Sequence, residues 1–510
     1  GTVGSGVFVL TGDVLQYAGP SAALSWMLAG LVCLLSAFSY MELSARLPTK
    51  GSCYTFSFYS MGELPAVIGA VCLTMEYGLS GAGVARNWSA KLADLIGRSD
   101  AGKYMFAYYV NSHDDQGDDD YYFDYSAALL QVVCVVVCVA GLNIGKTVIN
   151  VFTVSKVLLV LFMIIAGFLA SSNDVFESPE TFFPEGFGGT LTGTSLLFFG
   201  FIGFDEVCCL AAKSVNPRKV MPRAIAGTLI GAAILSMLAQ LALASLVRYD
   251  DDLGNTSFEE GFKDKGWKVA RWITAVGEVT LLPLVVLVSF LPQPELFAAM
   301  SEDGLIPAAF HFVNKNGTFV WGNILTGVGM TLFSLCVPFV VLWDMISLGV
   351  LLGFNLTNTS LILVRYGHSG NSTNIPILRS AMLLWVFGAI GAYCMWLGCL
   401  EPVLNNMDRF SVPATVFGAL GLTGSVTTTV WLARRNAQAK EASYEMDTFR
   451  APWVPYVPSM AIVLNFFLMA QFDGLSHAYL GGLVAFMVTV YVVYKSRHPT
   501  RFADKEQLIK

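Results

Sequence analysis

Charge is what this 510-residue sequence has least of. Asp, Glu, Lys and Arg make up 13% of it, about half the share found in soluble domains. Hydrophobic residues supply 55% and mean hydropathy is +0.60. Apolar stretches of roughly 20 residues, the length that crosses a bilayer, recur from end to end. A soluble enzyme is thereby excluded, and an all-α polytopic membrane protein lying in the lipid bilayer is expected. The net charge of −7 belongs to separate loops and implies no nucleic-acid partner.

Other absences narrow the class further. No basic segment precedes the first apolar run, so no cleavable signal peptide is read. The ten cysteines contain no C-x-x-C pair or metal spacing. Nine lie in apolar runs and Cys53 in a short polar connection, so they are expected as small buried hydrophobes rather than disulfides or zinc ligands. The nearest approach to a P-loop is AGLNIGKT, where Gly141 stands one residue too close to Gly145 for G-x-x-x-x-G-K-[ST]. GTVGSG at the start is likewise not G-x-G-x-x-G. An ATP-driven pump and a cofactor-dependent enzyme are both disfavoured, and no cofactor or metal is expected.

What is present is a series of about fourteen hydropathy spans. They lie near 5–17, 21–47, 65–97, 126–145, 148–170, 191–211, 222–248, 268–292, 320–341, 344–365, 381–403, 411–433, 455–471 and 475–495. With the chain start inside, inward connections and the tail hold about 19 Lys and Arg against about 8 outside, the bias expected of a membrane protein. KSVNPRKVMPR, at 213–223, is the densest basic cluster and faces inward. The sequon Asn255-Thr256-Ser257 falls outside, where a glycan is expected. Sequons at Asn355 and Asn358 lie within a span, and those at Asn316 and Asn371 face inward, so none of these four is expected to be used.

Two spans are interrupted by glycine at matching places, five spans apart. The first holds Gly1, Gly4 and Gly6; the sixth holds Gly200 and Gly203 in FFGFIGFDEV. Paired interruptions of this kind point to a transporter built from inverted repeats with a midplane site. A carboxylate substrate would use free N–H groups at a half-helix start, which Gly4-Ser5-Gly6 can supply. An ammonium would use free carbonyls, which the backbone from Phe199 to Gly203 can supply.

Ionisable groups inside spans are functional candidates by default. Glu76 lies mid-span in LTMEYGLSGAG, Lys156 in TVSKVLLVL, Asp205 and Glu206 beside the sixth-span glycines, and Glu278 in AVGEVTLLPL. Glu42 and Arg46 sit near an inner helix end, where snorkelling to the surface is the cheaper account. Arg86 is read as a partner for a carbonyl or an acid.

The chain resembles the cationic amino acid transporters of the amino acid–polyamine–organocation superfamily. GTVGSGVFVLTG fits the latter part of that family's G-x-x-x-G-x-G-[IV]-[FY]-V-L-x-G signature. AGPSAALSWMLAGL, GELPAVIGAVCLTMEYGLSGAGVARNWS, GFIGFD with VNPRKVMPRAI, AMSEDGLIP, DMISLGVLLGFNL and FRAPWVPYVPSMAIVLNFFLMAQFD follow in family order. The resemblance implies a LeuT-type 5+5 inverted repeat. Residues 1–170 would form the first repeat, 191–366 the second, and 381–495 about four extra C-terminal spans, with 496–510 as an inner tail. It implies that Ser5 and Gly6 amides hold the substrate carboxylate and that Phe199, Gly200 and Ile202 carbonyls hold its ammonium. Glu76 and Asp205 would line the cavity, and Lys156 would serve proton coupling. Set against the signature, the chain opens where the first span is half complete.

Departures from the family carry expectations of their own. The family's Glu-Glu after the sixth span is Ala212-Lys213 here, and its Arg after the eighth is Glu295. The family's inner gate pair is therefore expected with reversed polarity, as Lys213 with Glu295. Glu206 and Glu278 replace small or neutral family residues, as counter-ions for a cationic substrate or as protonated acids bonded to neighbouring helices. The expected function is permeation of cationic amino acids such as arginine and lysine by alternating access, with protons as a candidate partner. A neutral amino acid or polyamine permease, and a non-transporting nutrient receptor, remain alternatives. No disulfide-linked heavy chain is expected, because residues 98–125 contain no cysteine. The plasma membrane is the expected location, with the vacuolar or lysosomal membrane second.

Overall fold

A bilayer leaves backbone N–H and C=O groups no partner but each other, so apolar runs of this length fold as helices. The computed structural model describes residues 6–96, 107–109, 122–140, 146–171, 175–201, 203–209, 211–247, 249, 256–314, 317–366, 375–404, 410–435 and 448–497. Almost all of these are helical; the exception in regular structure is one antiparallel pairing of β1 (Ala107–Tyr109) with β2 (Tyr122–Asp124), in the register Ala107↔Asp124.

A π turn at Gly6–Leu10 leads into α1 (Thr11–Ala18), and a short turn at Gly19–Ser21 leads into α2 (Ala22–Arg46). Gly19 has φ +58°, a conformation that favours glycine, and Pro20 follows it. The segment 52–61, read from sequence as a polar connection, is instead a buried helix, α3 (Ser52–Met61), with Cys53 fully enclosed. The third span runs as α4 (Glu63–Thr74), a π turn at Met75–Leu79, and α5 (Ser80–Leu95). Then come α6 (Tyr125–Val139) and α7 (Lys146–Ala170). The sixth span is broken: α8 (Gly186–Leu196) passes into a 3₁₀ turn at Leu197–Phe201, and helix resumes only at α9 (Glu206–Cys209).

The remainder comprises α10 (Pro217–Leu246), α11 (Phe258–Asp264), α12 (Lys268–Ser289), α13 (Pro292–Glu302), α14 (Val320–Cys336), α15 (Phe339–Tyr366), α16 (Ile375–Met395), α17 (Val412–Arg435), α18 (Tyr456–Met469) and α19 (Gly474–Arg497). Each of the fourteen hydropathy stretches has a helical counterpart. Among the described residues, nine stretches are long and apolar enough to cross a membrane. Thr11–Arg46 carries the first two spans in one of them, while Tyr125–Val139, Val320–Cys336 and Tyr456–Met469 are shorter apolar helices.

Burial sets the layering. The apolar stretch of the third span is 89% buried and that of the tenth 94%, against 11% for α19. The third and tenth spans therefore form the centre, and the last helix lies at the periphery. Exposed Leu158, Ile165 and Leu169 on α7 present an apolar face where lipid takes the place of protein.

Polar side chains join the central helices. Asn358 accepts from Ser39 at 2.6 Å and donates to Ser36 at 3.0 Å; Asn465 donates to Asn355 at 2.9 Å. Asn355 and Asn358 are fully buried. Asn255, Asn316 and Asn371 lie outside the described residues.

Glu42 corrects the sequence reading. It does not snorkel but is fully buried, accepting from Arg365 Nε and Nη2 at 2.7 Å each and from the Ala451 amide at 2.7 Å. Arg46 adds a contact of 3.1 Å. One carboxylate thus ties α2, α15 and the segment entering α18 together.

Candidate functional site

The two glycine-interrupted segments meet backbone to backbone. A β-carbon on Gly6 would stand 2.9 Å from the Gly200 carbonyl oxygen, and one on Gly200 would stand 2.4 Å from Cη2 of Trp26. Only glycine fits at either place. Trp26, on α2, covers the junction and meets the Phe201 ring edge-on at 5.5 Å.

Interrupted helices leave backbone carbonyls that need donors in a dry interior. Side chains from other spans supply them. Gln240 of α10 donates to Thr11 O at 3.0 Å and accepts from the Trp26 indole at 3.1 Å. Trp343 of α15 donates to Leu196 O at 2.7 Å. Ser25 donates to Thr190 O at 2.7 Å, and the Ser21 and Thr190 hydroxyls lie 2.7 Å apart. Gln240 and Trp26 were missed at the level of sequence. A lone amide in the apolar run SMLAQLALASL was the available signal for the first.

An acidic site lies beside the break. Glu76 falls within the π turn of the third span, a geometry common at functional sites. Its carboxyl group interacts with that of Asp205, both being buried. Among the described residues, Glu76 Oε1 and Asp205 Oδ1 are enclosed without a hydrogen-bond partner. Tyr77 donates to Asp205 Oδ2 at 3.4 Å, Cys209 contributes a thiol 3.4 Å from the Tyr77 oxygen, and Ser52 donates to Asp205 O at 3.5 Å. An aromatic wall completes it: Tyr40 packs on Phe204 at 5.7 Å and on Phe354 at 5.6 Å. Two buried acids with oxygens to spare suit a proton or an organic cation.

The structure therefore brings together Gly6 and Gly200, and separately Glu76 and Asp205. The backbone of Phe199 lies in the 3₁₀ turn, but its side chain, with Gly4, Ser5 and Ile202, lies outside the described residues. Lys156 is buried on α7; among the described residues no hydrogen bond or ion pair joins it to Glu76 or Asp205. The Lys213 side chain also lies outside the described set, while Glu295 is buried on α13. Arg86 takes the carbonyl reading: it donates to Ser334 O at 2.8 Å and Leu335 O at 3.0 Å, at the C-terminal end of α14. Glu278 pairs with Lys91 at 2.9 Å, a partner not foreseen. The ten cysteines are all free.

Interrupted membrane helices meeting beside buried acids are the arrangement of a membrane transport protein. Comparison with known proteins specifies which kind. The family model described as "Amino acid permease" matches residues 1–431, and one described as "C-terminus of AA_permease" matches residues 449–499. The chain belongs to the amino acid permease family and is an amino acid transporter. It is similar to cationic amino acid transporter 3, mitochondrial, of Arabidopsis thaliana, at 29% identity over 98% of this chain and 88% of the relative. It is also similar to cationic amino acid transporter 4 of Homo sapiens, at 28% over 98% and 85%. A third relative, cationic amino acid transporter 2, vacuolar, of Arabidopsis thaliana, is 27% identical over 97% and 86%.

Proposed function

We propose that this chain carries cationic amino acids, arginine and lysine first, by alternating access at the Gly6–Gly200 junction. The observation that carries the reading is the buried Glu76–Asp205 pair beside that junction. A guanidinium or ammonium leaving water needs such carboxylates to offset its lost hydration. The names of the relatives, all cationic amino acid transporters, support the same substrate class.

In this proposal the Ser5 and Gly6 amides hold the substrate carboxylate, where a half-helix start favours negative charge. The Phe199, Gly200 and Ile202 carbonyls take its α-ammonium. Residues 1–170 and 191–366 act as two inverted repeats, and 381–495 form the added C-terminal spans. Lys156 is proposed as a proton-coupling group and Lys213 with Glu295 as an inner gate pair. The relatives' names carry mitochondrion, vacuole and chloroplast, so the plasma membrane stands as one proposed location beside the vacuole. A glycan at Asn255 and the absence of a disulfide-linked heavy chain complete the proposal.

The test is uptake of labelled arginine by proteoliposomes at two pH values, with Glu76→Gln and Lys156→Ala variants. The proposal expects arginine uptake that lysine competes, strongly reduced in Glu76→Gln, and pH-dependent unless Lys156 is replaced. Arginine binding without uptake or counterflow would make the chain a receptor. Uptake indifferent to both substitutions would remove Glu76 and Lys156 from the site.

A further inference from the structure

Lys91 and Glu278 form an ion pair of 2.9 Å between α5 and α12, their side chains 14% and 2% exposed. Near it, Trp88 donates to Val279 O at 2.9 Å, fixing the same two helices. The Lys91 ammonium has more acid around it than one carboxylate can account for. Asp13 of α1, Asp94 of α5 and Glu259 of α11 all stand near enough for their charges to act on it. Glu259 is itself bound to Arg271, at 3.1 Å.

The position matters as much as the charge. Asp13 lies seven residues beyond Gly6, about 10 Å at 1.5 Å per helical residue, toward the side that the basic bias assigns to the outside. The chain just before α11 covers the same place: a β-carbon on Gly12 would stand 1.8 Å from Thr256 O. Lys91, Glu278 and Asp13 thus form a charged layer between the helix break and the covering loop. A buried ion pair is seldom the most stable way to fill such a space, since apolar side chains of equal volume do as well or better. Its use is better sought in selecting what passes.

We propose that Lys91 and Glu278 form a specificity element for the transported cation. Lys91 holds Glu278 while the outer route is closed, and the guanidinium or ammonium of the incoming side chain replaces it during entry. A guanidinium is suited to the exchange because its flat fork can take both carboxylate oxygens. The inference rests on the cationic-substrate reading above.

The test measures the KM for labelled arginine uptake into proteoliposomes, and the inhibition constant of citrulline, its uncharged isostere. Unsubstituted protein is compared with Glu278→Gln, Lys91→Met and the double variant, which removes both members of the pair. Glu278→Gln is expected to raise the arginine KM about tenfold and change citrulline inhibition less than about twofold. Lys91→Met is expected to lower the arginine KM, and the double variant to resemble Glu278→Gln while retaining uptake. Arginine and citrulline constants that move in parallel in all three variants would reduce the pair to a structural tie and overturn this inference alone. No arginine uptake by the unsubstituted chain would overturn the cationic reading and this inference with it.

Discussion

Arg365 grips Glu42 through two hydrogen bonds of 2.7 Å across 323 residues of sequence. The carboxylate is fully buried and also receives the Ala451 amide. Removing one partner of such a pair leaves the other charged and unmatched, at a cost of about 3–5 kcal/mol. Glu42→Gln should therefore lower the thermal unfolding midpoint of the detergent-solubilised protein sharply. Glu42→Leu/Arg365→Met should recover most of that loss, because neither charge is then stranded. A double variant no more stable than the single would show that the Ala451 contact dominates.

The Gly6–Gly200 junction has no room for a methyl group. Gly200→Ala would drive a β-carbon into the Trp26 ring, and Gly6→Ala one into the Gly200 carbonyl. Each variant should lose arginine-induced thermal stabilisation, with overpacking costing about 1–3 kcal/mol of stability besides. Gly227→Ala, whose β-carbon meets nothing within 4 Å, is the matched control and should behave as the unsubstituted protein.

Arg86 places its charge on the last carbonyls of α14, where a cation also favours the negative end of a helix dipole. Arg86→Met should cost about 1.5–3 kcal/mol, the range for hydrogen bonds from charged donors. The loss should appear as faster hydrogen exchange at the end of α14, with substrate affinity little changed. A large change in affinity without faster exchange would instead put Arg86 at the substrate site.

Asp473 accepts from the Ser476 amide at 2.8 Å and caps the start of α19. The Ser476 side chain beside it, and then the Ser476 amide, hold its carboxyl below the ordinary 3.8. The unfolded chain takes up the proton first as pH falls, so the contribution is complete above 3.8 and lost through the lower folded value. Asp473→Ala should cost about 1 kcal/mol at neutral pH. Its difference from the unsubstituted protein should shrink as pH falls below 3.8 and through the lower folded value, as the carboxyl is protonated.

Much of this architecture is legible without coordinates, for physical reasons. A membrane-crossing helix must be long, apolar and internally hydrogen-bonded, so each one leaves a mark in local composition. The interruptions at Gly6 and Gly200 are legible because glycine has few other reasons to recur at matching offsets. The pairings are different. Nothing near Glu42 names Arg365, and nothing near Glu278 names Lys91, since both partnerships depend on how distant helices pack. The helix at 52–61 was hidden by its polar residues, which here face other protein rather than water. The π turn around Glu76 was hidden too, because one extra residue in a helical turn has no compositional signature.

Trp26 donates to Gln240, Gln240 to Thr11, and Ser25 to Thr190. These three bonds stitch the first, second, sixth and seventh spans into a single block. The seam at Gly6 and Gly200 runs through its interior. Unzipping that seam from within would strand buried donors and carbonyls far from water, at about 1–3 kcal/mol for each group. The tenth span is bolted to the same block by the bonds of Arg365 with Glu42, of Asn358 with Ser36 and Ser39, and of Trp343 with Leu196, so the seam is clamped from both sides.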